Sequence, residues 1–368
     1  MSVALTGATG FLGLRILRRL LDEHPSLTLL ARREPGSVFR RIERFLELSG
    51  EPDELAAQLP RRLRVVQTDL ERPRMGLPKS AFQELADGLD TIWHSAGDTS
   101  LQSALPALRR INVDGTRRVL ELAAAGRGRP VVHHVSTAFV AGRRREGVAY
   151  EDELDDTAGF ENAYERSKYE AEVLVRAWSR EHGRPVVVLR PSILVSNLPP
   201  HPDLPCQPLQ HVERVVRETL RATGRARAQG TAAGRPVVRL VGRAQGHLNM
   251  MPVEEAASVM ARLASRAPSG GADTYNVVHE HDVPVSAVTA LLGHLGGLTA
   301  RLVEERPPTV SALEAALDLY PGFTCYLRHR RRFDDTRVRT VIGAPRSATR
   351  VDVGYLLSGL RPRHGGTG

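Results

Sequence analysis

The chain has 368 residues, with 51 Lys+Arg against 42 Asp+Glu and a formal charge of +9. That length suits two domains, or one large domain with an appended lobe, and 41% hydrophobic residues can bury a substantial core. Two cysteines exclude a disulfide framework or a cysteine zinc cluster. No apolar run approaches the ~18 residues that span a bilayer, and Met1–Leu5 carries no signal-peptide pattern, so a cytoplasmic setting is expected.

The first 190 or so residues alternate β-branched runs with helical patterns, which predicts a parallel α/β sheet. Strands are expected at Val3–Thr6, Leu27–Ala31, Leu63–Thr68, Thr91–His94, Val131–Ser136 and Val186–Leu189. Helices are expected at Phe11–Glu23, Val38–Leu48, Ser80–Ala86, Leu105–Ala125 and Ala163–Glu181; Leu12, Ile16 and Leu20 show the apolar spacing. The proline-rich run Asn197–Pro205 ends this regular part. Beyond it come a basic helix at Val212–Ala228, a strand at Val237–Val241, a helix at Val253–Ala264, a strand at Tyr275–Val278 and a helix at Val285–Leu295.

Thr6-Gly7-Ala8-Thr9-Gly10-Phe11-Leu12-Gly13 joins the first strand to the first helix. A tight turn at Gly7, close approach of a pyrophosphate at Gly10 and strand–helix contact at Gly13 would put a phosphate on the helix N-terminus. Some twenty residues on, NAD sites place an acid on the ribose 2′-hydroxyl. Here the second strand ends in Arg32-Arg33, with no acid before Glu34. A guanidinium there pairs with a 2′-phosphate, so NADP(H) is expected, held by Arg32 ahead of Arg33. The competing reading is a solvated arginine of an arginine-biased chain.

Tyr164 and Lys168 stand one helical turn apart on one face. A phenol titrating near ~10 needs a neighbouring ammonium to act as an acid–base group near neutrality. Lys168 is one of only two lysines, the other being Lys79, which argues against chance placement. Ser136-Thr137 closes the fifth strand and offers a hydroxyl to the same substrate oxygen.

Together with Thr68-Asp69-Leu70, His94-Ser95-Ala96-Gly97 and Asn112-Val113-Asp114-Gly115-Thr116, these motifs make the chain resemble the extended short-chain dehydrogenase/reductase superfamily over residues 1–195. The resemblance implies a Rossmann-type doubly wound parallel sheet with a smaller C-terminal substrate lobe. It implies a nicotinamide cofactor held by Gly7, Thr9, Gly10, Phe11, Leu12, Gly13, Arg32, Arg33, Asp69, Leu70, Ala96, Gly97 and Asn112, with Tyr164, Lys168, Pro191, Ser192 and Ile193 at its nicotinamide end. Thr137, Tyr164 and Lys168 are the implied catalytic residues. Val135–Gly142 and Leu189–Ile193 look like the thioester-reductase and fatty-acyl-CoA-reductase branch.

The expected function is therefore NADPH-dependent reduction of an acyl thioester, on coenzyme A or an acyl carrier protein, to an aldehyde and further to an alcohol. No metal is required. The alternatives are an NAD(P)-dependent hydroxyl or ketone dehydrogenase, a nucleotide-sugar epimerase or dehydratase, and a non-catalytic NADP-sensing protein. The sequence shows no adenylation or carrier domain, so a carrier-bound substrate is expected to come from another protein. Residues 1–195 are expected to bind the cofactor and 196–360 to form the lobe, with 236–280 partly returning to the sheet and 361–368 a flexible tail. Arginines at 143–145, 225/227 and 328/330–332 suit coenzyme A phosphates, an acidic carrier or plain solvation. No nucleic-acid motif occurs, and a monomer or homodimer is expected.

Overall fold

The computed structural model describes residues 1–227, 235, 237–318, 324–343 and 347–360. The tail 361–368 and the end of the expected basic helix at Ala228 lie outside them.

The first half reads β1 (Val3–Thr6), α1 (Phe11–Glu23), β2 (Leu27–Ala31), α2 (Pro35–Leu48), α3 (Asp53–Arg62), β3 (Leu63–Gln67), α4 (Lys79–Asp87), β4 (Thr91–His94), α5 (Leu105–Arg109), α6 (Gly115–Ala125), β5 (Val131–Val135), β6 (Val148–Ala149), α7 (Ala163–His182), β7 (Val186–Pro191) and β8 (Ile193–Val195). The second half adds α8 (Pro208–Arg227), β9 (Val237–Val241), β10 (His247–Leu248), β11 (Met250–Pro252), α9 (Val253–Ala264), β12 (Ala272–Val277), β13 (Val283–Pro284), α10 (Val285–Gly296), β14 (Thr299–Val303) and β15 (Arg332–Phe333).

Seven strands form one parallel sheet in the order β12-β7-β5-β4-β1-β2-β3. The order reverses between β1 and β4, and ligands of such sheets bind at the carboxyl ends beside that reversal. Period-two alternation fills both faces. Leu5, Leu29, Trp93 and Leu189 join one core with Ile16, Leu20 and Met260. Ala4, Leu30, Ile92 and Val188 join another with Phe82, Leu122 and Val175. Burial on both faces explains why these strands read as continuous apolar runs.

A third core lies in the C-terminal lobe, where α8 and α10 enclose Val216, Leu240, Leu291 and Leu327. The stretch 236–280 is divided: β12 pairs with β7 and α9 packs on α1, whereas β9 pairs with β14 in the lobe. Helix α3 was not expected, because Pro60 sits inside it. The proline falls in the last turn, and Arg62 ties that end down by bonding the carbonyls of Leu21, His24 and Pro25. Five residues, Arg110–Asp114, form a π turn between α5 and α6, which the apolar spacing did not reveal. Among the described residues no helix is long and apolar enough to cross a membrane.

The sheet is tied to α7 by a buried ion pair. Arg190 on β7 meets both carboxylate oxygens of Glu172, at 2.7 and 3.0 Å, and Arg176 and Ser136 complete that shell. Burial alone would raise the Glu172 carboxyl; the Arg190 charge and its hydrogen bonds hold it below the usual range. Arg190→Met should therefore cost about 3–5 kcal/mol in urea unfolding by stranding a buried carboxylate, with Glu172→Leu in the same chain recovering much of it. A loss under about 1 kcal/mol would show that the pair does not carry this load.

Candidate active site

The glycine loop is shaped by contact. Gly7 has φ +73° and lies against the β4 exit, where a Cβ would stand 2.6 Å from Ala96 N. At Gly13 a Cβ would fall 1.9 Å from Gly7 O, so strand exit and helix touch only because neither residue has a side chain. The α1 N-cap, Gly10, supplies no side-chain cap, and the first turn has no acid. Thr9, Phe11 and Leu12 complete this cradle, whose amides and helix dipole suit an anionic pyrophosphate.

Arg32 and Arg33 follow the end of β2 and are exposed. Arg32 stands 4.0 Å from Glu71, a loose pairing. Glu34, the first acid after β2, is occupied: it caps α2 through Gly36 N at 2.9 Å and takes Arg40 at 3.3 Å. Asp69 closes its own turn, accepting from Glu71 N at 3.0 Å. Leu70 packs against Gly115 of α6.

A hydrogen-bond chain links the loop to α7. Thr116 spends its hydroxyl proton on Asn112 O at 2.6 Å, so it accepts from His94 Nε2 at 3.0 Å. Neutral His94 then accepts at Nδ1 from the Thr6 hydroxyl at 2.8 Å, and Thr6 Oγ1 accepts from Ala96 N at 3.2 Å. This assigns one tautomer of neutral histidine, in keeping with a pKa pushed down to about 3 by burial and then by Lys168. The Asn112 side chain accepts from Asp98 N at 2.8 Å and donates to Asp98 O and Ser167 Oγ, both at 2.9 Å. Gly97 lies under it, a Cβ there meeting Oδ1 at 3.0 Å. Asn112 is thus saturated by its own protein.

Thr137, buried, caps the short turn Ala138–Ala141, and its hydroxyl lies beside the Tyr164 phenol. Desolvation pushes Tyr164 up to about 12; the Thr137 bond pulls against it, and Glu165 and Asp98 add to the rise. Lys168, also buried, donates to Val135 O at 2.7 Å, and burial brings it down to about 8 against the pull of Glu172. Its ammonium is thus held at the β5 carbonyl, and burial dominates the phenol. The reading of Ser136 is corrected: its hydroxyl donates to Glu172 at 2.7 Å, which leaves Thr137 as the candidate of that pair.

Pro191, Ser192 and Ile193 follow on the same rim. Pro191 O faces the Thr137 hydroxyl at 3.4 Å, and Ile193 opens β8, paired with Met250. The Ser192 hydroxyl is buried without a hydrogen-bond partner among the described residues, as a group would be that waits for a carboxamide. Together with the glycine cradle it fits a nicotinamide dinucleotide.

Sequence reasoning missed the lobe's share of this site. Tyr326 Oη donates to Glu165 at 2.7 Å and accepts from Asn162 at 2.9 Å. Arg331 holds the carbonyls of Gly142 and Arg144 at 2.6 and 3.1 Å and stacks over Phe333 and Phe139. No local pattern signals pairs so far apart in sequence. His133 and His134 point to opposite faces, beside Trp93 and His94 respectively, and no three candidate metal ligands converge among the described residues.

Residues 5–260 match the NAD-binding family described as male sterility protein. A linear gramicidin synthase of Brevibacillus parabrevis is 34% identical over 50% of this chain and 4% of its own length. Glycine betaine reductase of Emericella nidulans is 35% identical over 51% of this chain and 15% of its own. The chain thus spans a small fraction of the length of these relatives. The terminal R domain of the myxalamid polyketide–peptide synthase pathway superposes with a TM-score of 0.74 at 24% identity, over 98% of this chain and 89% of that one.

Burial raises Glu165 to about 7 despite the bonds from Glu161 N and Tyr326. The fold prefers the neutral carboxyl, so stability from it is complete below the ordinary value of 4.5 and is lost as pH climbs through about 7. Between pH 5.5 and 8, wild type should lose about 2 kcal/mol relative to Glu165→Gln in urea unfolding. A pH-independent difference would remove Glu165 from this linkage.

Proposed function

The chain belongs to the male sterility protein family, the thioester-reductase-like branch of the extended short-chain dehydrogenases/reductases, and on that premise we propose that it reduces an acyl thioester with NADPH. The observation that carries this reading is the set of Thr137 after β5 with Tyr164 and buried Lys168 one turn apart on α7, at the carboxyl end of the sheet that bears the glycine cradle. The peptide-synthase relative and the polyketide–peptide R domain, both from carrier-based assembly systems, favour a thioester over a ketone or a nucleotide sugar.

NADPH, held by the glycine cradle with Arg32 toward its 2′-phosphate, would supply the hydride that the thioester carbonyl carbon receives. Thr137 and Tyr164 hold the oxygen on which negative charge develops, an interaction that strengthens only in the transition state. Reduction needs a proton donor, and a phenol pushed up to about 12 is fully protonated at neutral pH. Tyr164 gives its proton to that oxygen. Lys168, one helical turn along the same face and held at Val135 O, is the ammonium available to stabilise the phenolate left behind. The resulting thiohemiacetal loses its thiol through C–S cleavage to give an aldehyde, and a second molecule of NADPH would supply the hydride for the same groups to reduce it again. Arg32 is assigned to the 2′-phosphate, with Arg33 beside it, because Glu34 is spent on its helix cap.

NADPH oxidation with acyl-CoA, carrier-bound and N-acetylcysteamine thioesters, run beside ketones and nucleotide sugars, tests the assignment. Consumption with thioesters and release of aldehyde are expected; turnover of ketones or sugars alone sinks it. Tyr164→Phe should lower kcat by about 10²–10⁴-fold and Thr137→Val by about 10²–10³-fold, both with near-normal NADPH binding. Ser136→Ala should leave kcat within a few-fold.

The cofactor assignment has its own measurement. Arg32→Ala should weaken NADPH binding about tenfold or more while sparing NADH. An unchanged NADPH/NADH ratio would take the 2′-phosphate away from Arg32.

A further inference from the structure

The lobe holds a cavity of about 670 Å³ that the reaction above does not use. Arg145, Arg243, Arg306, Arg328 and Arg330 line it, against two carboxylates, Glu304 and Glu305. Two of the arginine groups singled out in the sequence therefore meet in one place. The side chains of the third, Arg225 and Arg227, lie outside the described ones.

Backbone bonds lock the arginine-bearing segments together before any ligand arrives. Arg330 N donates to Arg145 O at 2.7 Å, Arg243 N to Leu327 O at 3.0 Å, and Arg332 N to Gly147 O at 2.9 Å. Two guanidinium groups are already paired, Arg145 with Glu161 and Arg243 with Glu146. Arg328 and Arg330 have no carboxylate partner among the described residues. Like charges held in a concave wall concentrate positive potential, and planar guanidinium forks match phosphate oxygens. A cavity of this volume admits a ligand of coenzyme size in part.

Hydrogen bonds connect the cleft to the helix that carries the reacting groups. Glu161, which takes Arg145, donates its amide to Glu165, the neighbour of Tyr164. Tyr326, two residues before Arg328, reaches the same Glu165. Resting on the thioester reading, we propose that this arginine cleft is the subsite for the phosphate end of a phosphopantetheine-bearing substrate. That chemistry is shared by coenzyme A and by the prosthetic arm of a carrier protein; pantetheine without its phosphate lacks it.

Calorimetric titration of the NADPH-loaded full-length protein with coenzyme A, 4′-phosphopantetheine and pantetheine reads the subsite directly. The two phosphorylated ligands should bind about tenfold or more tighter than pantetheine. Replacing both Arg328→Ser and Arg330→Ser should weaken the phosphorylated pair about tenfold or more and leave pantetheine and NADPH binding unchanged. A larger loss for coenzyme A assigns the cleft to its 3′-phosphoadenosine end, and an equal loss assigns it to the pantetheine phosphate; both support the subsite. Unchanged affinity in a variant folded by circular dichroism overturns it, as does wild-type protein that binds neither phosphorylated ligand. Should the double variant unfold, Arg330→Gln, at an exposed position, carries the same comparison. Reduction of an N-acetylcysteamine thioester, which has no phosphate, tests the thioester reading separately. Its absence alongside arginine-dependent phosphate binding would remove the reaction and leave the cleft.

Discussion

The amide of Asn112 is the constraint on which the site geometry rests. One side chain bonds the β4 exit loop through both backbone groups of Asp98 and the α7 helix through Ser167. Its own carbonyl receives the hydroxyl of Thr116, the last member of the chain that begins at Thr6. Every donor and acceptor in that chain is used, and saturated buried networks resist displacement because each broken bond strands a desolvated group. The dinucleotide cradle and the helix bearing Tyr164 are therefore positioned as one body.

Burial then sets the charges. His94, His133 and His134 are all driven toward neutrality by desolvation, and buried Lys168 is held by a carbonyl and not by a contacting carboxylate. An ion pair at Lys168 would have spent its field locally. Glu172, one turn along α7, is instead saturated by Arg190, Arg176 and Ser136. This division leaves Tyr164 protonated by burial, with Lys168 one helical turn away on the same face.

Much of this was legible in the sequence, for physical reasons. Strands covered on both faces announce themselves as apolar runs, and the loop glycines are imposed by sub-contact approach at Gly7 and Gly13. The Tyr164–Lys168 spacing follows from helical geometry alone. What escaped depends on partners remote in sequence. Nothing local to Ser136 says that its hydroxyl belongs to Glu172, and nothing near Glu165 points to Tyr326. Helix α3 was hidden by a proline that its position in the last turn makes harmless. The lobe strand β14 escaped as well, because it is stabilised by pairing with β9 and not by any pattern of its own.

The π turn at Arg110–Asp114 has a consequence for how the chain can vary in length. A π turn accommodates one residue more than an α-helical path between the same ends. Removing one residue within Arg110–Asp114 would let that stretch close into regular α-helix between the same ends, and Leu108 and Leu122, both buried now, would keep their faces. Asn112 lies inside the turn and would lose its place against Asp98 and Ser167. One residue added or removed elsewhere in Leu105–Ala125 would instead turn one flank about 100° relative to the other, so variation in length is directed to exposed connections such as the turn at Gly50.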